Sequence, residues 1–269
     1  CAAGLLSIRQ GDFDIARSLL EESLAISQEL RYKRGITQAL SLMAGIARAH
    51  GKYDLARSLV EECLALQRED GDKPGIAASA GNLSWLAFTH GEYVLARSLL
   101  EESLAISQEL GDRHGIARAH DLLGNMAWKQ GDHVMARSLY ESNLAIHREL
   151  SNKMEIIHTL GVLGHVAREA GDYGRANARY KESLALRRDV GDMHSIAQSL
   201  EDFSGLAGQQ GQYDRAGRLW GAAEALGRSL GMTLAAADPG HEGFAAGCAE
   251  GRAMTLEQAV EYALEGEPA

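Results

Sequence analysis

The chain repeats itself every 40 residues, and this period constrains the fold more than any other feature. GDFDIARSLLEESL begins at Gly11, GKYDLARSLVEECL at Gly51, GEYVLARSLLEESL at Gly91 and GDHVMARSLYESNL at Gly131. GDYGRANARYKESL follows at Gly171 and GQYDRAGRLWGAAEAL at Gly211, with no slip of register. The stretch RSLLEESLAISQEL occurs twice unchanged, at Arg17–Leu30 and Arg97–Leu110. A fixed period of this size marks stacked supersecondary units, each burying its apolar face against its neighbours. Such a stack offers an extended surface in place of one enclosed active site, so function is expected on that surface.

Each unit reads as a pair of helices. In Gly35–Asp70, Ile36, Ala39, Leu40, Met43, Ala44 and Ala47 recur at helical spacing before His50-Gly51-Lys52 breaks the pattern. A second stripe follows in Leu55, Ala56, Leu59, Val60, Cys63 and Leu64. Neither stripe can be buried alone, and the short connection makes the two helices antiparallel. Glycine just past a helix end suits a left-handed cap, and Pro74 suits the first turn of the next helix. Asp14, Asp54 and Asp214 stand where a helix begins, next to its positive end. Ala16, Ala56, Ala96, Ala136, Ala176 and Ala216 are expected at helix crossings, where small side chains permit close approach. Glu21, Glu22, Glu61, Glu62, Glu101 and Glu102 predict a solvated acidic edge.

The order Gly-x-Tyr-x-x-Ala, with small residues before it, resembles the tetratricopeptide repeat (TPR) motif. One unit supplies Leu40, Met43, Ala44, Ala47, Gly51, Tyr53, Ala56, Val60 and Cys63. Another supplies Leu160, Leu163, Gly164, Ala167, Gly171, Tyr173, Ala176, Tyr180 and Ser183. The usual period is about 34 residues, and the longer unit is similar to the kinesin light chain type, with the added length expected in the second helix and its turn. The resemblance covers roughly residues 1–230. It implies an all-α fold, a right-handed α-α superhelix (TPR solenoid) of about five and a half helix pairs. The units fall near 1–30, 31–70, 71–110, 111–150, 151–190 and 191–230, with C-terminal capping helices in 231–269.

After Gly211 the pattern changes to RAGRLWGAAEALGRSLGM, with Trp220 where sibling units have Leu, Val or Tyr. Thr233–Gly240 is Ala-rich and ends in a turn-forming Asp-Pro-Gly. GFAAGCAEGRAMTLEQAVEYAL reads as two short helices, the last opened by a capping box of Thr255 and Gln258. This tail, joined to the array, resembles the C-terminal region of large bacterial signal-transduction ATPases. In that family an NTPase module is joined to a TPR array, with outputs such as LuxR-type or SARP-type DNA-binding domains. The resemblance implies a sensor or interaction arm of a larger regulator of signal transduction or transcription, linked to NTPase and output domains. The chain starts at Cys1 and not Met, and Cys1–Gln10 covers only the end of a helix, so a piece of a larger protein is expected.

Composition narrows the function. A formal net charge of −10 repels a phosphate backbone and disfavours direct nucleic-acid or anionic-membrane binding. No apolar run approaches the ~20 residues that cross a bilayer, and no signal peptide opens the chain. Cys1, Cys63 and Cys248 are odd in number and far apart, which predicts reduced thiols and a cytoplasmic location. The sequence holds no GxxxxGK[ST] loop, GxSxG elbow or HExxH helix. An enzyme is therefore not expected, nor a cofactor. His158 and His165 share one helix face but lack further ligands, so no metal site is assigned.

In TPR arrays the first helix of each unit lines the concave side. Carried onto this sequence, that resemblance selects a groove of Asn82, Trp85 and Phe88, then Arg118, Asp121, Asn125 and Trp128, then His158, His165 and Arg168. Gln38, Ser41 and Arg48 precede them, and Gln198, Glu201 and Asp202 follow. Aromatic area with orienting polar groups suits a peptide, a protein or a small effector; filling gaps between helices is the other use for Trp85 and Trp128. Asn125 fits the clamp that holds chaperone C-termini, but Asp121 stands where that clamp needs a lysine, so chaperone tails are not expected. The alternative function is a structural scaffold or a homo-oligomerising module.

Overall fold

Among the described residues, each half-repeat of 20 residues from Phe13 to Gly231 folds into one helix and one turn. The computed structural model describes residues 13–233, 241 and 243–265. Among them are thirteen α-helices and no strand. In chain order these are α1 (Phe13–Glu29), α2 (Lys33–Ala49), α3 (Tyr53–Asp70), α4 (Lys73–Thr89), α5 (Tyr93–Glu109), α6 (Arg113–Lys129) and α7 (His133–Glu149). They continue with α8 (Lys153–Glu169), α9 (Tyr173–Val190), α10 (Met193–Gln209), α11 (Tyr213–Ser229), α12 (Phe244–Arg252) and α13 (Leu256–Glu265). The eleven repeat helices are 17 or 18 residues long, so the added length is not confined to the second helix of each pair. The chain packs as two compact units, Cys1–Met126 and Ala127–Ala269. None of the described helices is long and apolar enough to cross a membrane.

The turns repeat as strictly as the helices. After α2, Gly51 N–H donates to Arg48 O (3.0 Å) and Lys52 N–H to Ala47 O (2.9 Å), a paired closure that needs a left-handed residue at Gly51, φ 69°. Glycine takes this conformation every 20 residues from Gly51 to Gly131 and from Gly171 to Gly231. Arg31 (φ 51°) and Ser151 (φ 53°) take it without glycine, at a cost of about 1–2 kcal/mol each. Many helices then open on an acceptor side chain: Asp72, Asp132, Asn152, Asp172 and Asp192 accept from the backbone N–H three residues on. Pro74 sits in the first turn of α4.

The six crossing alanines are all 2% exposed or less. Each belongs to an apolar cluster; Ala56, for one, packs with Ala44, Val60, Leu64, Leu83 and Leu86. One polar bond recurs inside the pairs. Cys63 Sγ donates to Thr37 O (3.4 Å), Ser103 Oγ to Ala77 O (2.7 Å) and Ser183 Oγ to Ile157 O (3.1 Å). This is why a thiol or hydroxyl recurs in a packed face. Cys63 and Cys248 are buried free thiols, and burial pushes both thiol pKa values up; Cys1 lies outside the described residues. The acidic edge is only partly free: Glu61 accepts from Arg57 and Glu102 from Arg68.

The C-terminal helices extend the core of the second unit. Phe244 and Cys248 of α12 and Ala259, Val260 and Ala263 of α13 join a cluster with Leu184, Leu200, Phe203 and Leu219. The capping box is present: Thr255 N–H donates to Gln258 Oε1 (2.9 Å) and Gln258 N–H to Thr255 Oγ1 (3.2 Å). Trp220 is half-buried against this core. The Ala-rich turn expected in Thr233–Gly240 falls outside the described residues from 234 onward.

Candidate partner-binding site

In the first unit, α2, α4 and α6 present side chains to a concave pocket of about 270 Å³. Asn82, Trp85, Arg118 and Asp121 line it together with Ser41 and Arg48. Ala44, Val60, Leu86 and Leu122 form its apolar wall, and Gly45 and Gly81 keep space on the helix surfaces. The Arg48 guanidinium lies 5.3 Å from the Trp85 ring centre, within cation–π range. Tyr53 meets the same indole edge-on at 6.0 Å. Trp85 also packs on the apolar cluster of α3 and α4, so it fills a gap and lines the pocket at once.

Charge in this unit segregates by helix. Lys33, Arg34 and Arg48 of α2 have no acidic neighbour within that helix, and Lys73 is the only charged side chain of α4. By contrast α5 carries three glutamates against Arg97. Lys33 and Lys73 at the turns are drawn off by Glu69, Asp70 and Glu109. Arg48 and Arg118 form no ion pair among the described residues, which leaves two guanidiniums at the pocket of a protein with net charge −10.

Phe88 and Asn125 are used differently. Phe88 turns to Tyr93 edge-on at 5.6 Å and packs with the cluster of Ala87, Ala96 and Leu100. Asn125 Nδ2 donates back to Asp121, to its backbone O at 3.0 Å and to Oδ2 at 3.3 Å.

In the second unit the named residues form a polar cluster. Trp128 Nε1 donates to Glu169 Oε2 (2.6 Å), and its ring lies parallel to His165 with centres 6.3 Å apart. His165 Nε2 faces Asp202 Oδ1 at 3.7 Å, and its Nδ1 and the Tyr180 hydroxyl share a hydrogen bond of 2.9 Å. Arg168 reaches α10, where its Nη1 lies 3.0 Å from the place a Cβ would take at Gly205. Arg187 donates to Ser195 O (2.6 Å) and Ser199 Oγ (2.8 Å). His158 stands apart, exposed. Among the described residues no three His, Cys, Asp or Glu side chains gather to hold a metal ion.

Tyr180, Glu169 and Arg187 were not legible as members of this cluster. Tyr180 stands at a packing position where sibling units carry Leu, Val, Tyr or Trp, and Glu169 and Arg187 read as ordinary surface charges.

Burial governs the titration of the cluster. It pushes the His165 pKa down to about 4, helped by Arg168. It pushes the Asp202 carboxyl up to about 7, with Arg168 and Arg187 pulling the other way, and it raises the Tyr180 hydroxyl, which stays protonated. An unfolded aspartate titrates near about 3.9 and an unfolded histidine near about 6.5. From about pH 4 to 7 the folded Asp202 holds a proton that the unfolded chain releases, so this group lowers stability as pH rises. His165 acts oppositely: the unfolded chain holds its proton, and stability rises from about pH 4 to 6.5. Asp202→Asn is therefore expected to gain stability over the parent at pH 8 and not at pH 4. Urea unfolding followed by circular dichroism at pH 4, 6 and 8 checks this; a difference independent of pH would contradict it.

Antiparallel helix pairs at a constant period, with pocket-lining side chains on the first helices, define a repeat protein of the protein–protein interaction or scaffold class. A family profile described as tetratricopeptide repeat matches residues 2–69, 35–109 and 115–189, more than half of the chain. The chain belongs to the tetratricopeptide repeat family.

Solved structures agree on the fold. BtubC (BKLC) from P. vanneervenii superposes with a TM-score of 0.71 at 17% identity, covering 84% of this chain and 95% of that one. The nearly identical TPR-like repeats of a kinesin-light-chain-like protein from P. anserina give 0.63 at 18%, over 73% and 97%. A signal transduction ATPase with numerous domains and a tetratricopeptide repeat sensor, from Pyrococcus horikoshii, gives 0.68 at 16%. That match covers 82% of this chain but only 36% of the ATPase. No curated protein matches in sequence.

Proposed function

We propose that this chain is a non-catalytic partner-binding or effector-sensing arm of a larger bacterial regulatory protein, coupled to an NTPase. The observation that carries the binding role is the pocket between α2, α4 and α6, where Arg48 and Arg118 flank Trp85 beside Asn82 and Asp121. Two guanidiniums free of ion pairs beside an aromatic wall suit a partner that brings a carboxylate next to an apolar group. The regulatory role is supported by the tail resemblance and by the fold shared with the TPR sensor of the P. horikoshii ATPase. The polar cluster around Trp128 and His165 is a second binding surface on this reading.

The test is partner capture from extracts of the source cells with an immobilised chain. Trp85→Ala and Arg118→Glu are expected to reduce a captured partner about tenfold or more, while Leu95→Ala, an exposed change on α5, leaves it unchanged. Equal capture by all four proteins would defeat the binding role.

A scaffold reading has one observation in its favour: Ile15, Leu55 and Leu95 occupy the same position of α1, α3 and α5 and are 56%, 50% and 38% exposed.

A further inference from the structure

The first two repeats are near copies, but an ion pair of the second has no counterpart in the first. In the second repeat Arg57 is fully occupied. Its Nη1 and Nη2 grip the Glu92 carboxylate at 2.6 and 3.1 Å, and its Nε donates to Glu61 at 2.9 Å. The counterparts in the first repeat are Arg17, Lys52 and Glu21. An ammonium thus stands at the position of the Glu92 carboxylate, and Arg17 bonds only Asp14, its own neighbour on α1, at 3.0 Å.

Among the neighbouring positions Phe13, Met43 and Ile46 stand where the second repeat has Tyr53, Leu83 and Leu86, while the histidine contacts recur. His50 donates from Nδ1 to Ile46 O at 2.9 Å and meets Phe13 edge-on, as His90 does with Leu86 O at 2.8 Å and Tyr53. Between α1, α2 and α3 lies a cavity of about 410 Å³. Arg17 and Lys52 line it together with Asp14, Glu21 and His50, and Phe13, Met43, Ile46, Leu55 and Leu59 give it an apolar wall. Lys52 forms no ion pair among the described residues.

We infer that this cavity binds a small monocarboxylic acid with an apolar body, whose carboxylate takes the place that Glu92 fills in the next repeat. Arg17 and Lys52 receive the carboxylate by charge-assisted hydrogen bonds, and the aliphatic and aromatic wall receives the body. The volume is in the range of small-ligand sites, about 300–1,000 Å³. This site is separate from the pocket of α2, α4 and α6, on which the partner-binding role rests.

The test uses 4-phenylbutyrate as probe, with 4-phenylbutan-1-ol as its neutral analogue and 4-phenylbutylamine as its cationic one. Titration calorimetry gives affinity, and methyl resonances of Met43, Ile46, Leu55 and Leu59 locate the site. The acid is expected to bind and shift these methyls, and the alcohol and amine to bind about tenfold more weakly or worse. Lys52→Glu restores the arrangement of the second repeat and is expected to weaken the acid about tenfold or more, with an unchanged circular dichroism spectrum and melting temperature no lower than the parent. No binding of the acid, equal binding of acid and amine, or full binding by a folded Lys52→Glu protein would each overturn the inference.

Discussion

Replacing Gly251 by alanine is expected to release the C-terminal helices from the second unit. A Cβ there would stand 2.0 Å from Arg218 O, a backbone atom of α11. The contact is reciprocal: a Cβ at Gly221 would stand 2.2 Å from Cys248 O, and one at Gly217 2.2 Å from Phe244 O. The backbones of α11 and α12 touch at these glycines, so no side-chain motion can relieve the overlap. Overpacking ordinarily costs about 1–3 kcal/mol, occasionally more, and a helix–helix contact made by main chain belongs at the top of that range. Once α12 lifts, Leu219, Ala222 and Ala223 lose their cover.

Gly208→Ala is the internal control. Nothing lies within 4 Å of its Cβ position, so it is expected to gain the ordinary helical benefit of about 0.5–1 kcal/mol. Thermal melts, with amide exchange across Phe244–Arg252, separate the two. If Gly251→Ala is as stable as Gly208→Ala, the described contact is wrong.

The second large effect is expected at Gly164. A Cβ there would lie 2.2 Å from Cε1 of Tyr180, whose ring is 2% exposed and cannot withdraw. Gly164→Ala is expected to cost about 2–3 kcal/mol. The repeats themselves suggest the rescue. Sixteen residues apart, Ala44 is matched with Val60, Ser84 with Leu100, and both Gly124 and Gly164 with tyrosine. In a Tyr180→Leu background, which carries its own loss of buried area, Gly164→Ala should be neutral or stabilising. A double-mutant cycle by urea unfolding measures this coupling; additive costs would show that ring and glycine do not compete for the same space.

These two glycines also mark where sequence reading stops. The period, the helix pairs and the buried alanines follow from spacing, because each rests on local pattern and chain geometry. The capping box at Thr255 and the proline in the first turn of α4 follow from capping chemistry within a few residues. Gly164 and Gly251, by contrast, matter through atoms 16 and 33 residues away, and no local pattern announces them. Arg31 and Ser151 hold left-handed turns that composition alone assigns to glycine.

For the candidate site the division is similar. Register selects Asn82, Trp85, Arg118 and Asp121, and all four line one pocket. Phe88 shares their helical register, yet Tyr93 across the turn draws it into the core of the first unit. The cluster of Trp128 and His165 contains Tyr180, Glu169 and Arg187 because tertiary packing gathers them, which spacing cannot show.

The central claim is that the first-helix face of the first unit, and not its second-helix face, meets the partner. A photocrosslinking side chain at Asn82 of α4, compared with one at Glu101 of α5, tests this most directly. Both positions are exposed. The predicted result is a covalent adduct from position 82 alone, lost when Arg118→Glu is added. An adduct from position 101 alone, or adducts that Arg118→Glu leaves intact, would contradict the account.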